Sequence, residues 1–325
     1  METLMNRRNL VAAVAAAAAL ASSPLLAQDL KRPITLVVPT AAGGTTDISA
    51  RMLAEPLGRI LGTSVVVDNR GGGNGNIAGQ FVARAAPDGN TLLVQYSGFH
   101  SITPQIQPVQ GFDPGRDLKP LGHLIDAPQL LVVRADFPAN TAGEFINYVK
   151  ANPGKVNYAS SGNGSLQHVT TELLKDLTKT FITHIPYRGT GPTVTDILAG
   201  TVDLTITTPP PLLAHVRAGK MKPLMVTGKT RLAVLPQVPT AMELGIPLVA
   251  SSWFAVYGPA GLSADVSTKL TAAIRQVVES EAFRKRAEDQ GAKAVFLDGS
   301  ALAKLADDER KMWGRIVKVA NIKAD

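Results

Sequence analysis

The sequence predicts an α/β protein of two lobes that face a common cleft. Short apolar runs typical of buried parallel strands alternate with amphipathic stretches typical of helices along most of the chain. This alternation predicts parallel sheets with right-handed crossovers. Strand-like runs at residues 121–125, 129–133 and 250–256 indicate where the chain leaves the first sheet and later returns to it. We therefore expect the C-terminal residues to complete the first lobe.

The first 27 residues have the features of a secretory signal peptide. Arg7 and Arg8 form a basic region, residues 10–20 form an apolar segment of mostly alanine, and Ala27 ends a small-residue cleavage site. That apolar segment is shorter than the roughly 20 residues that cross a bilayer. The sequence has no cysteine to carry a lipid anchor. We therefore expect a soluble, non-lipidated protein of the periplasm.

The predicted elements divide the mature chain between two lobes. We expect residues 28–125 and 252–325 to form lobe 1 and residues 126–251 to form lobe 2. Each lobe contains a strand, a glycine turn and a helix in succession, and the carboxyl ends of parallel strands meet at one edge of a sheet. The glycine turns of both lobes are therefore expected to face the cleft.

The net charge does not indicate a nucleic-acid partner. Loss of residues 1–27 lowers the formal net charge only from +7 to +6. The densest basic run, Arg284 to Arg286, has acidic residues close by on both sides. Such a run is typical of a solvated helix face. We expect no nucleic-acid partner, and a mild positive field that helps to attract anions.

The turn after the first strand is the first candidate binding element. Residues 34–38 predict a buried strand, and Gly43 and Gly44 allow the backbone to approach a ligand closely. Thr45, Thr46 or Asp47 is expected to cap the helix that follows. A helix N-terminus leaves N–H groups unpaired and suits an anion. The alternative is that this turn has a purely structural role.

Two turns of the second lobe repeat this composition of glycines and hydroxyl side chains at a predicted helix start. They are Ser161 and Ser165 with Gly162 and Gly164, and Thr190 with Gly189 and Gly191. Three such turns fit a ligand held between opposed helix N-termini, and opposed sites suggest a ligand with two anionic ends. Asp47 fits this picture less well. It either caps its helix and pairs with Arg51, which we favour, or accepts a hydrogen bond from a ligand or from water.

The motifs that would indicate an enzyme are weak. Residues 73–78 match G-x-G-x-x-A, but no acidic residue ends the next strand to hold a ribose. The five histidines lack metal-binding spacings, and no G-x-S-x-G elbow occurs. We expect no cofactor, no metal and no catalytic residue. An exported enzyme that acts on a carboxylic acid is the alternative.

Five motifs together resemble the Bug family, the extracytoplasmic solute receptors of tripartite tricarboxylate transporters. They are P-T-A-A-G-G-T-T-D-I-S-A-R, D-N-R-G-G-G-N-G-N-I-A-G, A-A-P-D-G-N-T-L, Y-A-S-S-G-N-G-S-L-Q-H and I-P-Y-R-G-T-G-P. The resemblance implies a type II-like periplasmic-binding-protein fold, a Venus flytrap that closes on a small carboxylate. It also implies a membrane permease with a large and a small subunit as partner. We expect the receptor itself to be a monomer, and a sensor subunit with the same ligand is an alternative.

The resemblance also implies which residues hold the carboxylate, often through ordered water. In lobe 1 these are Ala42, Gly43, Gly44, Thr45, Thr46 and Asp47. We add Ser97, Phe99 and His100, from the turn after the third strand, as further candidate ligand-binding residues. In lobe 2 they are Ser161, Gly162, Asn163, Gly164 and Ser165, with Tyr187, Arg188, Thr190, Gly191 and Thr207 in the adjoining wall.

Two departures from the family pattern bear on the ligand. Phe99 stands in a turn where threonine-histidine-alanine is usual, and Arg188 replaces the commoner lysine. These residues would shape the distal pocket for a longer or aromatic diacid such as terephthalate, with a bidentate grip from Arg188. Alternatively, Phe99 belongs to the core and Arg188 is a surface residue. The sequence thus predicts a receptor for a di- or tricarboxylate, with terephthalate as a leading candidate.

Overall fold

The computed structural model describes residues 32–319, with the backbone alone at Val319. The predicted signal peptide lies outside the described residues. The strands are β1 Ile34–Val38, β2 Val65–Asn69, β3 Thr91–Tyr96, β4 Leu118–Pro128, β5 Leu130–Arg134, β6 Asn157–Ser160, β7 Thr183–Pro186, β8 Leu204–Thr207, β9 Met221–Val226, β10 Ser251–Pro259 and β11 Lys293–Ala294.

The helices alternate with these strands along most of the chain. They are α1 Thr45–Leu61, α2 Asn76–Ala83, α3 Ser97–Ser101, α4 Thr103–Ile106, α5 Pro114–Asp117, α6 Ala142–Ala151, α7 Leu166–Thr178, α8 Thr190–Leu198, α9 Leu213–Arg217, α10 Ala264–Glu279, α11 Glu281–Asp289 and α12 Gly299–Val319. Residues 104–120, predicted as a loop, contain most of α4, all of α5 and the start of β4. The basic run at 284–286 is exposed on α11, as expected for a solvated helix face.

The sheet of lobe 1 has six strands in the order β11-β4-β10-β3-β1-β2. Strand β1 is parallel to β2 and β3, as predicted, but β10 is antiparallel to β3 and β4. The parallel pairing is therefore confined to β1, β2 and β3, and the sheet as a whole is mixed. The two strands that connect the lobes, β4 and β10, run in opposite directions because one leaves lobe 1 and the other returns to it.

The sheet of lobe 2 is also mixed, with the order β7-β6-β8-β5-β9. Strand β6 is parallel to β7 and β8, whereas β5 is antiparallel to β8 and β9. The strand–turn–helix units at β6–α7 and β7–α8 therefore have the parallel arrangement that brings their turns to one edge.

The chain passes between the lobes at two neighbouring points. Strand β4 continues to Pro128, beyond the boundary expected at residue 125, so we place the first crossing at Gln129. The Gln129 N–H donates to the Thr227 hydroxyl at 2.9 Å, and that hydroxyl lies 2.6 Å from the carbonyl oxygen of Ala250. Thr227 is fully buried. It ties the outgoing and returning segments together where the chain passes between the lobes.

Four apolar clusters hold this arrangement together. One fills lobe 1, and two cover the faces of the lobe 2 sheet. The fourth lies between the lobes, where the C-terminal helix α12 meets the start of α7. It contains Ile102, Leu166, Val169, Ala250, Trp313 and Val317.

The helix caps agree with the sequence at one position and differ at two. The predicted cap at Thr141 is confirmed, since its hydroxyl accepts a hydrogen bond from the Glu144 N–H at 3.2 Å. Helix α1 begins after Gly44 without a side-chain cap, so the predicted hydroxyl or Asp cap is wrong. At α12 the Asp298 carboxylate accepts from the Ser300 N–H at 3.0 Å, so Asp298 takes the role expected of Ser300.

Candidate functional site

The two lobes meet across the cleft in a closed arrangement. The hydroxyl oxygens of Thr45 in lobe 1 and Thr208 in lobe 2 lie 2.6 Å apart, and Thr208 is 5% exposed. Close by, a Cβ atom added at Gly191 would lie 2.1 Å from the carbonyl oxygen of Ala42. Only glycine at position 191 therefore allows the lobes to come this close.

The closed lobes enclose an inner cavity of about 40 Å³, room for a few water molecules. Hydroxyl and amide side chains from both lobes dominate its lining, together with two aromatic rings and a leucine. The lining residues are Thr40, Gly44, Thr45, Thr46, Tyr96, Gln129, Ser161, Leu166, Gln167, Thr190, Thr207, Thr208, Ser252 and Phe254. None of these residues carries a formal charge. An anion in this cavity would be stabilised by neutral donors alone.

Three helices begin at the wall of the inner cavity. Helix α1 contributes its first residues, Thr45 and Thr46, and α8 contributes Thr190, which follows the N-cap Gly189. Helix α7 contributes Gln167 from its first turn. Each helix N-terminus carries a partial positive charge. Together they make the cavity attractive to an anion without a basic side chain.

Thr40 has a buried hydroxyl at a position that lines both cavities of the cleft. This residue follows β1, is 9% exposed and lines the inner cavity. Its hydroxyl has no hydrogen-bond partner among the described residues. Buried polar atoms are rarely left without a partner, so this hydroxyl is a candidate donor to a ligand. Thr40 was not predicted as a site residue, although it lies within the first family motif.

Gln167 organises the lobe 2 side of the cavity. Its side-chain oxygen accepts a hydrogen bond from the Ser161 N–H at 2.5 Å. Its side-chain nitrogen donates to the hydroxyls of Thr190 at 2.9 Å and Thr207 at 2.5 Å. One side chain thus joins three segments of lobe 2. It was missed in the sequence analysis because its partners lie 23 and 40 residues away.

A second, outer cavity of about 200 Å³ continues the cleft toward solvent. It shares Thr40, Tyr96 and Ser161 with the inner cavity, and its further lining residues are Pro39, Gly72, Gly73, Asn74, Gln107, Asn163, Tyr187, Arg188 and Gly189. Arg188 is the one charged residue among those that line either cavity. The side-chain amide of Asn74 donates to the carbonyl of Asn163 across the cleft. The outer cavity is thus basic at one wall, whereas the inner cavity is neutral.

The Asp47 carboxylate stabilises the glycine turn that precedes α1 and is not part of the cavity wall. Its carboxylate accepts hydrogen bonds from the Gly43 N–H at 3.0 Å and from Arg51 Nε at 3.0 Å. Burial alone would raise the pKa of Asp47, but hydrogen bonds from Arg51, Gly43 and Asn69 outweigh burial and hold that pKa below its ordinary value. The expected pair with Arg51 is confirmed. Asp47 does not line either cavity.

The comparisons with known proteins agree on one family. The model of the tripartite tricarboxylate transporter family receptors matches residues 49–322. This chain belongs to that receptor family. A curated relative, protein BugT of Bordetella pertussis, is 35% identical over 294 residues, which is 90% of each chain. Receptors of this family are periplasmic, bind small carboxylates and work with tripartite transporters.

Solved structures of similar receptors have the same two-domain periplasmic-binding-protein fold. The R. palustris protein Rpa4515, solved with adipate, is 33% identical with a TM-score of 0.88 over 91% of this chain and 99% of its own. MatC from Rhodopseudomonas palustris, solved with malate, is 32% identical with a TM-score of 0.82 over 88% and 99%. The periplasmic binding protein BugD is 33% identical with a TM-score of 0.86 over 90% and 99%.

Two of the residues expected in the receptor site are part of the lobe 1 core instead. Phe99 is fully buried, and a Cβ at Gly79 would lie 2.5 Å from its ring. The His100 ring packs 4.4 Å from the Tyr257 ring. Burial, and next the charge of Arg310, lower the pKa of His100 to about 3, so it is neutral. Helix α3 turns both side chains away from the cleft, which the sequence pattern does not reveal.

Ser97 and several of the predicted site residues lie behind the cavity surface. The Ser97 hydroxyl lies 3.1 Å from the hydroxyl of Ser252, which lines the inner cavity. The remaining predicted residues that line neither cavity form turns or contacts between the lobes. They are Ala42, Gly43, Gly162, Gly164, Ser165 and Gly191.

The described residues contain no group of three or more His, Asp or Glu side chains that could hold a metal ion. Within residues 32–319, no helix is long and apolar enough to cross a membrane. The glycine stretch that resembled a dinucleotide motif contributes Gly73 and Asn74 to the outer cavity. Asn74 has a positive φ of 51°, and this conformation directs the turn toward lobe 2.

Proposed function

We propose that this receptor binds a short dicarboxylate between its lobes and delivers it to the membrane permease of a tripartite transporter. The proposal is carried by the inner cavity, which has no charged lining residue and whose wall contains the first turns of α1, α7 and α8. Three helix N-termini supply the field that an anion needs. The outer cavity adds a cation for a second anionic group.

One carboxylate of the ligand occupies the inner cavity in this proposal. It accepts hydrogen bonds from the backbone of the first turn of α1 and from hydroxyls, among them that of Thr40. Charge-assisted hydrogen bonds of this kind are about twice as strong as neutral ones. The neutral walls also suit reversible binding, because a receptor must release its ligand to the permease.

The second carboxylate lies in the outer cavity, where Arg188 is exposed. The two cavities share Tyr96 and Ser161, so the carbon chain of the ligand passes between these residues. The inner volume of about 40 Å³ has room for a few water molecules, so it accommodates one carboxylate end of the ligand and little of its chain. The adipate and malate in the similar structures support short diacids as ligands.

Terephthalate becomes the second candidate. Terephthalate was favoured because Phe99 and Arg188 were expected to shape the distal pocket, but Phe99 lies in the core of lobe 1. Tyr96 and Phe254 still present aromatic surface to the inner cavity. An aromatic ring between them requires the lobes to close less far than they do here, so we place aliphatic diacids first.

No catalysis is part of this proposal. The residues that line the two cavities include no histidine, lysine or carboxylate that could act as a general base. Binding and release depend on hinge closure at Gln129 and Thr227 instead. The receptor acts as a monomer, since the two lobes of one chain complete the cavity.

A thermal-shift screen tests the proposal. The mature protein is first unfolded and refolded to remove any ligand carried through purification. The panel contains succinate, malate, adipate, citrate and terephthalate, with propionate and benzoate as monoacid controls. A ligand at 100 times its dissociation constant stabilises the fold by about 2.7 kcal/mol. We expect a short diacid to raise the melting temperature and the monoacids to leave it unchanged. No shift from any diacid would overturn the proposal.

A further inference from the structure

The loop at residues 161–165 is held in place by the first turn of α7. Ser161 donates its N–H to Gln167, as described above, and the Gly164 N–H donates to Nδ1 of His168 at 3.0 Å. In return the Ser165 hydroxyl accepts from the His168 N–H at 3.2 Å. The loop carries Ser161, which lines both cavities. His168 itself lines neither cavity, so it acts on the site through the loop.

The hydrogen bond from Gly164 fixes the protonation state of the His168 ring. A backbone N–H can only donate, so Nδ1 of His168 must offer its lone pair. The neutral ring therefore carries its proton on Nε2. When imidazole is protonated, both nitrogens become donors. The Gly164 N–H would then face another N–H, and the loop could not keep this conformation.

On the basis of the proposed function, we propose that His168 is a positioning residue that makes ligand affinity depend on pH. Its neutral ring holds the 161–165 loop in the shape that binds a dicarboxylate, and its protonation releases the loop. Affinity then falls as the pH drops below the range in which histidine is neutral.

The titratable groups packed around His168 come from β6, β7 and α7 itself. The His184 ring of β7 stacks on the His168 ring with centroids 4.1 Å apart, and the Tyr158 ring of β6 lies 6.5 Å away. The Tyr158 hydroxyl donates to Glu172 at 2.6 Å, and Glu172 pairs with Lys175 at 2.7 Å. The carboxylate of Glu172 is thus paired with the ammonium group of Lys175. Two stacked imidazoles disfavour a double positive charge.

Lobe 1 faces the start of α7 with apolar side chains. Ile102, Trp313 and Val317 pack there against Leu166 and Val169. The loop itself touches lobe 1 at Gly164, where an added Cβ would lie 2.9 Å from Ile106. Movement of the loop therefore disturbs both the cavity wall and the contact between the lobes.

The decisive variant is His168→Asn. The Asn side-chain oxygen can take the acceptor position of Nδ1 but does not titrate. Calorimetric dissociation constants for malate and adipate are measured at pH 7.5 and pH 5.0 for the wild type, His168→Asn and His215→Asn. His215, on α9, lines neither cavity and serves as the matched control. The ionisation of the acids themselves affects all three proteins equally, so it cancels in their ratios.

We expect the wild type and His168→Asn to bind equally at pH 7.5. At pH 5.0 the wild type should bind more weakly than His168→Asn, by up to about thirtyfold, because binding must then remove a proton from the His168 ring and a free histidine, with a reference pKa near 6.5, would be about 1.5 pH units below its midpoint. His215→Asn should follow the wild type at both pH values. A ratio of wild type to His168→Asn that is the same at both pH values would overturn the proposal.

A second measurement on the wild type needs neither ligand nor variant. Nitrogen-15 NMR of the histidine rings should show Nδ1 of His168 without a proton at pH 7.5, and the Gly164 amide resonance should move as His168 titrates. A proton on Nδ1, or a Gly164 amide that ignores the titration, would contradict the role of His168. If no protein binds malate or adipate at pH 7.5, the proposed ligands are wrong, and this measurement still decides the role of His168.

Discussion

The hydroxyl groups of Thr45 and Thr208 lie 2.6 Å apart, one on each lobe, at the wall of the inner cavity. Thr45 is the first residue of α1, and Thr208 follows β8 of the other lobe. Both side chains are buried. The contact that brings the two lobes together therefore also forms part of the wall of the binding site.

Removal of this pair should weaken ligand binding. Thr45→Val and Thr208→Val each replace a hydroxyl with a methyl group of similar size and leave the partner hydroxyl buried without it. A lost hydrogen bond of this kind costs about 0.5–1.5 kcal/mol, and calorimetry should show affinity reduced about 2–10-fold. The double variant should lose less than the sum of the two single losses, because the hydroxyls act on each other.

Thr268→Val is the control for these variants, since Thr268 is exposed on α10, away from the cleft. It should bind like the wild type. Additive losses in the Thr45 and Thr208 variants would show that the two hydroxyls do not interact in the ligand-bound state.

A side chain at Gly191 should prevent closure. In Gly191→Ala the new Cβ would lie 2.1 Å from the Ala42 carbonyl oxygen, closer than folded proteins tolerate. Alanine favours the helix that contains this residue, so lobe 2 should fold normally. We expect at least a tenfold loss of affinity, about 1.4 kcal/mol, and no ligand-induced compaction in small-angle X-ray scattering.

The matched control for closure is Gly143→Ala, on α6, where an added Cβ meets no atom within 4 Å. It should compact with ligand as the wild type does. Compaction of Gly191→Ala to the wild-type dimensions would show that the closed contact between the lobes is not the ligand-bound one.

A negative charge at position 167 should abolish binding while the fold survives. Gln167→Glu keeps an oxygen for the Ser161 N–H but places a carboxylate on the wall of the inner cavity. Like charges at close range in a partly buried site repel strongly. We expect no measurable binding of a dicarboxylate by calorimetry at pH 7.5.

The control for this charge is Gln276→Glu on the exposed face of α10. It adds the same charge far from the cavity and should leave affinity unchanged. Wild-type affinity in Gln167→Glu would mean that the ligand does not reach the inner cavity.

Glu309 on α12 should make the stability of the protein depend on pH. Burial raises the pKa of its carboxyl from 4.5 to about 7, although hydrogen bonds from Trp253 and Ser101 lower it in part. At pH values between 4.5 and about 7, the Glu309 carboxyl of the folded protein keeps a proton that the unfolded chain has released. The free energy of unfolding contributed by Glu309 therefore falls as the pH rises from 4.5 to about 7.

Glu309→Gln removes this titration and keeps an oxygen to accept from Trp253. We expect the variant to match the wild type at pH 5 and to be more stable at pH 8, by up to about 3 kcal/mol, in urea denaturation. The pKa of His100 is lowered to about 3, so its contribution to the free energy of unfolding rises with pH below 6.5. This contribution is the same in both proteins and cancels in the comparison. Glu279→Gln, at an exposed position on α10, should show no such difference. Equal stabilities of Glu309→Gln and wild type at both pH values would contradict this account.

The sequence indicates the lobes and the turns well because both depend on local residues. The alternation of strands and helices predicts β1, β6 and their neighbours, and the glycines at 43–44 and 162–164 mark turns that face the cleft. Local composition does not determine strand direction where the chain changes lobes. For that reason the antiparallel pairing of β10 was not predicted.

The residues that complete the site depend on distant contacts. Gln167 and Thr208 resemble ordinary helix and loop residues in the sequence, and only the closed fold brings them to Thr190 and Thr45. Phe99 shows the reverse case, because the core position given as its alternative role is the one that the structure shows. It follows a strand at the correct edge of the sheet, but α3 turns its ring into the lobe 1 core.

The most direct test of two-ended carboxylate binding is calorimetry with the best dicarboxylate of the screen and its monomethyl ester. Both are titrated into the wild type and Arg188→Gln. We expect the ester to bind the wild type at least tenfold more weakly than the diacid, and this difference to shrink when Arg188 is replaced. An ester that binds the wild type as tightly as the diacid would contradict two-ended binding.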